Sequence, residues 1–124
     1  MIKVILPLPP SKNKRTVRKG VRVKGKFINV PVLSPEVLAY RQTVQSLLRG
    51  YTGVFMDGVK IVLSCVWYKT RKNQDCANYH DELCDAVAPA LGLNDKFFLI
   101  RDEDYFIVPK NEGCVRVKLE VKND

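Results

Sequence analysis

Acidic and amide side chains are concentrated in one segment of the chain, residues 75–95. If this segment is helical, Asn78, Glu82 and Asp85 lie within about 60° of one another around the helix axis, and Asp81 lies nearby. Asp81 and Asp85 are four residues apart, a spacing at which like charges repel and destabilise a helix. Such a face needs a compensating cation, and either a basic neighbour or a metal ion could supply it.

Asp75 and Asp95 flank this segment, at the predicted helix start and in a turn beyond its end. We expect the fold to bring these two carboxylates together at one edge of a sheet. Mg²⁺ prefers oxygen ligands, and two or three carboxylates leave coordination positions for water and a phosphate oxygen. Such an ion would polarise a scissile phosphate and activate water. The alternative interpretation is that Asp75 only caps the helix and Asp95 only forms a turn.

A zinc site is a second possibility in the same segment. Cys76, His80 and Cys84 recur every four residues, which places them near one stripe of a helix. A structural zinc ion normally has four ligands, often including a C-x-x-C pair, and the four cysteines of the chain contain no such pair. Buried, reduced thiols are therefore favoured, and a zinc-dependent interaction module remains an alternative.

The positive charge of the chain is concentrated near its beginning. The chain has 21 Lys and Arg against 13 Asp and Glu, a net charge of +8. Residues 11–26 (SKNKRTVRKGVRVKGK) contain eight basic side chains and no acidic one. Because Lys and Arg release condensed counterions when they meet phosphates, this segment predicts a polyanionic partner. A solvated basic loop is the alternative.

The hydrophobic pattern predicts one α+β domain over residues 1–124, with a small mixed sheet packed against two main helices. Ser34-Pro35-Glu36 is typical of a helix start, and that helix should end near Gly50 or Gly53. A second helix should run from Asp75, as its cap, to Gly92, with Pro89 kinking or ending its last turn. Strands are expected at 2–8, 59–68, 104–109 and 114–121, with a flexible basic hairpin at 21–31 around Lys24-Gly25 and a hairpin turn at 111–113.

Composition favours a globular protein of the cytoplasm. Apolar residues make up 46% of the 124 residues, enough for one hydrophobic core. The chain has no apolar run of the roughly 18–20 residues that span a bilayer, and its first residues do not resemble a secretory signal. We therefore expect no membrane association.

Four short motifs occur in a characteristic order: LPLPPSKN (6–13), LAYRQTV (38–44), D-x-x-N-x₆-D-A (75–86) and GLND (92–95). Together they resemble the RusA family of Holliday junction resolvases, over nearly the whole chain. The resemblance implies a RusA-like fold and a homodimeric, Mg²⁺-dependent endonuclease, with Mn²⁺ as a possible substitute. Such enzymes nick four-way DNA junctions in recombination and repair, and many relatives are carried by phages or prophages.

The resemblance also implies site residues. Asp75 and Asp95 match metal-binding acids, whereas the second acid of the family pattern D-x-D-N falls on Ala77, and a catalytically important lysine falls on Asp81. We hypothesise that Asp81, about 40° around the helix from Ala77, supplies the missing carboxylate. Asn78 and Asp85 are expected to support the site. The predicted DNA contacts are Lys12, Asn13, Lys14, Arg15, Arg71, Lys72 and Lys110.

Two alternatives concern the reaction itself. Ala77 could mark a weakened or inactive enzyme that still binds branched DNA. The protein could also cut other branched or single-stranded DNA. Because a four-way junction has approximate two-fold symmetry, a two-fold dimer would place one site at each of two strands.

Overall fold

Two helices pack on one face of a four-stranded mixed sheet in the computed structural model, which describes residues 1–11 and 14–123. The predicted α+β domain with a small mixed sheet and two main helices is confirmed. Short 3₁₀ turns lie at Arg49–Tyr51, Asp95–Phe97 and Lys110–Glu112. The strands and helices are β1 (Ile2–Pro7), β2 (Thr16–Val23), β3 (Lys26–Leu33), α1 (Pro35–Leu47), β4 (Ile61–Lys69), α2 (Ala77–Leu91), β5 (Phe98–Ile107) and β6 (Cys114–Val121).

Strand β4 is one of the two inner strands of the sheet, and its long apolar sequence is typical of such a strand. The strand order is β1-β6-β4-β5, with β6 antiparallel to both of its neighbours and β5 parallel to β4. Side chains on both faces of β4 are buried, including Val62 and Ser64 on the face away from the helices. A parallel pair needs a crossover connection, and α2 provides it between β4 and β5.

The hydrophobic core lies between the sheet and the two helices. Trp67 of β4 is fully buried, and its ring stacks on Tyr79 of α2 with centroids 5.3 Å apart. The core face of α2 consists of five apolar or aromatic residues at helical spacing, all of them buried: Tyr79, Leu83, Ala86, Val87 and Ala90.

The start of α1 follows from local sequence. The Ser34 hydroxyl accepts a hydrogen bond from the backbone N–H of Val37 at 3.2 Å, and Pro35 occupies the first turn. The α-helix ends at Leu47 and not near Gly50 or Gly53, because the chain tightens into the following 3₁₀ turn.

Strands β2 and β3 form a two-stranded antiparallel ribbon that is a separate sheet and packs mainly against itself. Its tight turn, Lys24-Gly25, is the predicted one, and both residues have positive φ (51° and 79°). Positive φ at both central positions matches the type I′ turn, which suits the twist of a hairpin. The ribbon covers residues 16–33, longer than the predicted hairpin, and its strands of 8 residues span roughly 26 Å.

Two predictions in the second half of the chain are wrong, and a third is confirmed in part. Strand β5 begins at Phe98, earlier than predicted. The prediction fails because the centre of this edge strand is charged and exposed and so lacks the apolar pattern by which a strand is predicted. Residues 111–113 do not form a hairpin turn, since β5 and β6 lie on opposite sides of β4. Helix α2 continues past Pro89 to Leu91, so Pro89 does not end it, and the predicted closure by Gly92 is confirmed, at a φ of 72°.

Within the described part of the chain, neither helix is long and apolar enough to cross a bilayer.

Candidate functional site

A buried carboxylate, Glu82, lies where α1, α2 and the segment before β2 meet. Its side chain is fully buried and accepts a hydrogen bond from Arg15 Nε at 3.1 Å. Arg41 of α1 donates two more, from Nε at 2.9 Å and from Nη2 at 3.0 Å. Asp85, one turn along α2, pairs with Arg15 and lies 3.6 Å from Arg41 Nη2. A buried carboxylate needs such paired donors, because an isolated buried charge is very costly.

These arginines answer the question of what compensates the acidic face of α2. For Glu82 and Asp85 the compensating cation is a basic neighbour. The hydrogen bonding of Arg41 to the Glu82 carboxylate, which accepts, raises the pKa of Arg41 and keeps this cation charged. Arg15, predicted to contact DNA, directs its guanidinium into this ion-pair cluster. Its main role in the free chain is therefore to join the base of the ribbon to α2.

Asp95 lies beside Asp85, although the two are on different elements. Asp95 begins the 3₁₀ turn after α2, where Asn94 accepts a hydrogen bond from the backbone N–H of Lys96 at 3.0 Å. Hydrogen bonding to Asp85 is the main cause that raises the pKa of Asp95, and the charge of the exposed Asp81 raises it further. The predicted residues Asp81, Asp85 and Asp95 thus share one electrostatic environment. Burial raises the pKa of the nearby Cys84 thiol to about 12, and the charges of these three aspartates contribute to the same shift.

Asp75 lies apart from these acids. It follows the end of β4, whereas Asp95 precedes the start of β5, and β4 and β5 run parallel with Ile61 opposite Phe98. The two aspartates therefore lie toward opposite ends of the sheet, separated by the 15 residues of α2, about 22 Å of helix. The prediction that they meet at one edge of the sheet is wrong within one chain.

Asp75 also does not cap α2 with its side chain. The helix begins at Ala77, and its N-cap residue is Cys76, without a side-chain cap hydrogen bond. The backbone carbonyl of Asp75 instead accepts a hydrogen bond from the N–H of Asn78 at 3.1 Å. The exposed Asp75 carboxylate is consequently not engaged in helix capping.

No set of three or more His, Cys, Asp or Glu side chains among the described residues is arranged to hold a metal ion. The predicted triplet Asp75, Asp81 and Asp95 is therefore not a preformed three-carboxylate magnesium site. Nor do Cys76, His80 and Cys84 form a zinc site; all four cysteines of the chain are free thiols. His80 instead pairs with a carboxylate of β5.

That carboxylate, Asp102, was not among the sequence-predicted site residues. It accepts a hydrogen bond from the indole Nε1 of Trp67 at 2.7 Å and lies 2.9 Å from Nε2 of His80. Burial is the main cause that raises the pKa of the Cys76 thiol, and the charges of Asp102 and Asp75 raise it further. Both carboxylates therefore act on one place at the start of α2. The sequence contains a signal for it, the acidic run Asp102–Asp104 in a strand, but only the pairing of β4 with β5 places Asp102 there.

Several predicted DNA-contacting cations lie at the end of the sheet where β4 finishes, which we call the Asp75 end. Lys14 and Arg71 line one groove together with Gln74, the residue before Asp75. The exposed Lys72 is in the same loop. Lys110 lies in the 3₁₀ turn that follows β5, and Val108 at the start of this connection donates a backbone hydrogen bond to the carbonyl of Lys69, the last residue of β4. The predicted contacts Lys12 and Asn13 lie outside the described residues.

The buried carboxylate makes a testable stability prediction. In Glu82→Gln, Arg15 and Arg41 lose their charged partner while the side-chain shape is nearly kept. Breaking a buried ion pair is strongly destabilising, so we expect the free energy of unfolding to fall by about 3 kcal/mol. Urea unfolding measures this, with the exposed Glu112→Gln as the control, for which we expect a change within about 0.5 kcal/mol. A Glu82→Gln protein as stable as the control would contradict the role assigned to this cluster.

The Asp85–Asp95 contact makes a prediction about pH. A raised folded-state pKa means that ionised Asp95 disfavours the folded state at neutral pH. We therefore expect Asp95→Asn to raise the free energy of unfolding at pH 7, by about 0.3 kcal/mol, as for an exposed like-charge pair. As the pH falls through the raised pKa of Asp95 toward the ordinary value of 3.8, the gain should disappear, because Asp95 then takes up a proton in the folded wild type. Unfolding of Asp95→Asn and of the control Asp57→Asn at both pH values tests this; a loss of stability at pH 7 specific to Asp95→Asn would contradict it.

Comparison with known proteins gives no family assignment. No family model matches the chain, and no curated protein matches it. The resemblance to the RusA family therefore stays a prediction that rests on the four short motifs.

Proposed function

We propose that the protein is a structure-specific DNA endonuclease that nicks four-way junctions. The observation that carries the proposal is the gathering of Lys14, Arg71, Lys72 and Lys110 at the same end of the sheet as the exposed carboxylate of Asp75. Phosphodiester cleavage needs cations that hold the phosphate backbone and carboxylates that act beside it. The order of the RusA-like motifs adds support for this reaction. The cofactor of the proposal is Mg²⁺, with Mn²⁺ as its substitute, as the same motifs imply.

The ribbon supports the DNA-binding part of this proposal. It carries five cations, and the sequence has no acidic residue between 11 and 35. On one face Arg22 lies over the ring of Phe27, 5.4 Å from its centroid, and Arg18 donates a hydrogen bond to the carbonyl of Asn29. A two-stranded ribbon of this width fits the major groove of duplex DNA. Because Arg15 ties its base to Glu82, the ribbon would hold a DNA arm at a set angle to the domain.

Other side chains at the Asp75 end have positioning roles in the proposal. Lys14 and Arg71 would hold backbone phosphates in their shared groove. The His80–Asp102 pair faces the same helix start and could accept or hold a proton there. A homodimer with two-fold symmetry would present two such ends to the two matched strands of a junction. Asp95 matches a metal-binding acid of the family pattern, but within one chain it lies toward the other end of the sheet and is not part of the Asp75 end.

A second candidate function is junction binding without cleavage. The observation in its favour is that two arginines already neutralise Glu82 and Asp85, while Ala77 stands where the family pattern has an acid. This candidate keeps the ribbon and the cations of the Asp75 end. It differs from the first only in the outcome of a cleavage assay.

The cleavage assay is the first test of the proposed function. Labelled four-way junction, flap and linear duplex are incubated with the protein in Mg²⁺, in Mn²⁺ or in chelator. We expect metal-dependent nicks in the junction, reduced roughly 100-fold or more in Asp75→Asn, as for removal of a group that acts on the reacting atoms. Asp81→Asn, Asp95→Asn and Asp102→Asn establish which carboxylates act with it, and the exposed Asp57→Asn is the matched control.

Junction binding is measured in parallel for every variant. Tight binding of the junction with no cleavage products in Mg²⁺ or Mn²⁺ would overturn the nuclease proposal and support junction binding without cleavage. Preferential cutting of the flap would replace the four-way junction as the substrate. Cleavage unchanged by Asp75→Asn would remove the Asp75 end as the site.

The ribbon makes a separate prediction about salt. We expect junction affinity to fall by orders of magnitude between low and moderate salt, because several phosphates are neutralised. Arg18→Ala with Arg22→Ala should weaken binding to all DNA sequences alike and should flatten the dependence on salt by about one unit of slope per lost contact. Anisotropy titrations at several salt concentrations measure both quantities, with Arg49→Ala as the control. An unchanged slope in the double variant would show that the ribbon does not contact phosphates.

A further inference from the structure

The face of the sheet that points away from the helices carries a row of three cations and one serine across its four strands. The pairing register places Lys3 of β1 directly opposite Lys118 of β6, Lys118 opposite Ser64 of β4, and Ser64 opposite Arg101 of β5. Directly paired residues share a face of a sheet, and the core residues on either side of them point toward the helices. Since neighbouring strands are about 4.8 Å apart, the row extends over roughly 14 Å.

This row is unfavourable for an isolated chain. Like charges directly opposite one another on paired strands destabilise a sheet, and Lys3 faces Lys118 in this way. Lys118 has a carboxylate partner, Glu120, at 3.7 Å, but both side chains are well exposed to water. Across residues 1–11 and 14–123, the side chains of Lys3 and Arg101 form no hydrogen bond and no ion pair. An anion lying along the row would relieve this repulsion.

The same face offers a groove and an aromatic surface. Lys3, Lys118 and Arg116 line a concave region of about 700 Å³ whose floor includes Ser64. At one end of the face, the rings of Tyr68 and Phe106 stack with centroids 5.5 Å apart, and Arg116 Nη1 lies 3.2 Å from the Tyr68 hydroxyl as a donor. Phe106 is 48% exposed, so one face of this aromatic pair is open to a further ring.

We infer that this open sheet face binds a stretch of single-stranded DNA. Its phosphates would follow the row of Lys3, Lys118 and Arg101, and an unpaired base would stack on Phe106. Single-strand binding combines these two elements, a basic groove for the backbone and aromatic rings for the bases. Bases of a closed duplex are stacked on each other and have no free face for Phe106, which favours a single strand over a duplex. The acidic side chains Glu103 and Asp104 of β5 border the row and would confine the phosphates to it.

The choice of DNA rests on the proposed function, because unpaired bases occur where branched DNA opens. Binding itself requires no cleavage and no metal. The inference can therefore fail while the nuclease proposal holds, and the reverse is equally possible.

The test is a fluorescence anisotropy titration of labelled oligothymidine, about 12 nucleotides long, in chelator and low salt. The test variants are Lys3→Glu with Arg101→Glu, and Phe106→Ala. The control, Arg49→Glu with Lys96→Glu, makes the same change in net charge at exposed positions outside the row. We expect at least about a 10-fold loss of affinity for the double charge reversal and about a 5-fold loss for Phe106→Ala. The control should change affinity by no more than about 2-fold.

Three companion measurements make the result decisive. Thermal unfolding checks that each variant is folded. Arg18→Ala with Arg22→Ala should lower oligothymidine affinity by no more than about 2-fold, as for the control, since the ribbon is assigned to duplex arms. Junction cleavage by the face variants is measured separately, so that the nuclease proposal is judged by its own assay.

Several outcomes would overturn the inference. Face variants that bind oligothymidine as tightly as the control would contradict it. Loss of oligothymidine binding in the ribbon variant alone would also contradict it. If light scattering shows a dimer that the face variants convert to a monomer, the face is an interface between copies. Tighter binding of oligouridine of the same length would reject DNA as the ligand.

Discussion

The fold of this protein depends on one buried carboxylate. Glu82 receives hydrogen bonds from Arg15 before the ribbon and from Arg41 on α1, and its own backbone belongs to α2. Three segments far apart in sequence therefore meet at a single charge that has no access to water. A charge in such a place is tolerable only when every partner is in position, so the cluster selects one arrangement of the helices and of the ribbon base. The position of the basic ribbon relative to the core follows from it.

This interaction also changes how the acidic segment is understood. Four acids on and after α2 divide into two kinds: Glu82 and Asp85 are paired with arginines, whereas Asp81 and Asp95 add repulsion that nothing in the described chain neutralises with a direct ion pair. The cations to which we assign phosphate binding lie elsewhere, around the exposed Asp75. A cluster of acidic residues in the sequence is thus a poor indicator of a catalytic site, because some of these acids, here Glu82 and Asp85, stabilise the domain through ion pairs.

Local patterns predicted what depends on local forces. The capped start of α1 at Ser34, the buried strand β4 and the Lys24-Gly25 turn were all readable from neighbouring residues. The parallel pairing of β5 with β4 was not, because pairing partners are chosen across the chain and the charged centre of β5 does not alternate as a half-buried strand does. That one missed pairing is why Asp75 and Asp95 were expected to meet, and why Asp102 was overlooked. The partners of Arg15 cannot be predicted from the sequence either, because nothing in a basic segment indicates whether its side chains bind phosphate or a buried glutamate.

The position of β6 inside the sheet has a consequence for how the chain folds. Strand β1 pairs with β6 alone among the described strands, and Ile2 lies opposite Leu119. The first strand of the chain therefore cannot join the sheet until the last strand has been synthesised. During synthesis, β1 and the edge of β4 that later pairs with β6 therefore leave the ribosome as unpaired strand edges. Contacts between such distant residues also slow folding, because a long loop must close before they are formed. We therefore expect the sheet to be completed in a late step, with the ribbon and α1 formed well before it.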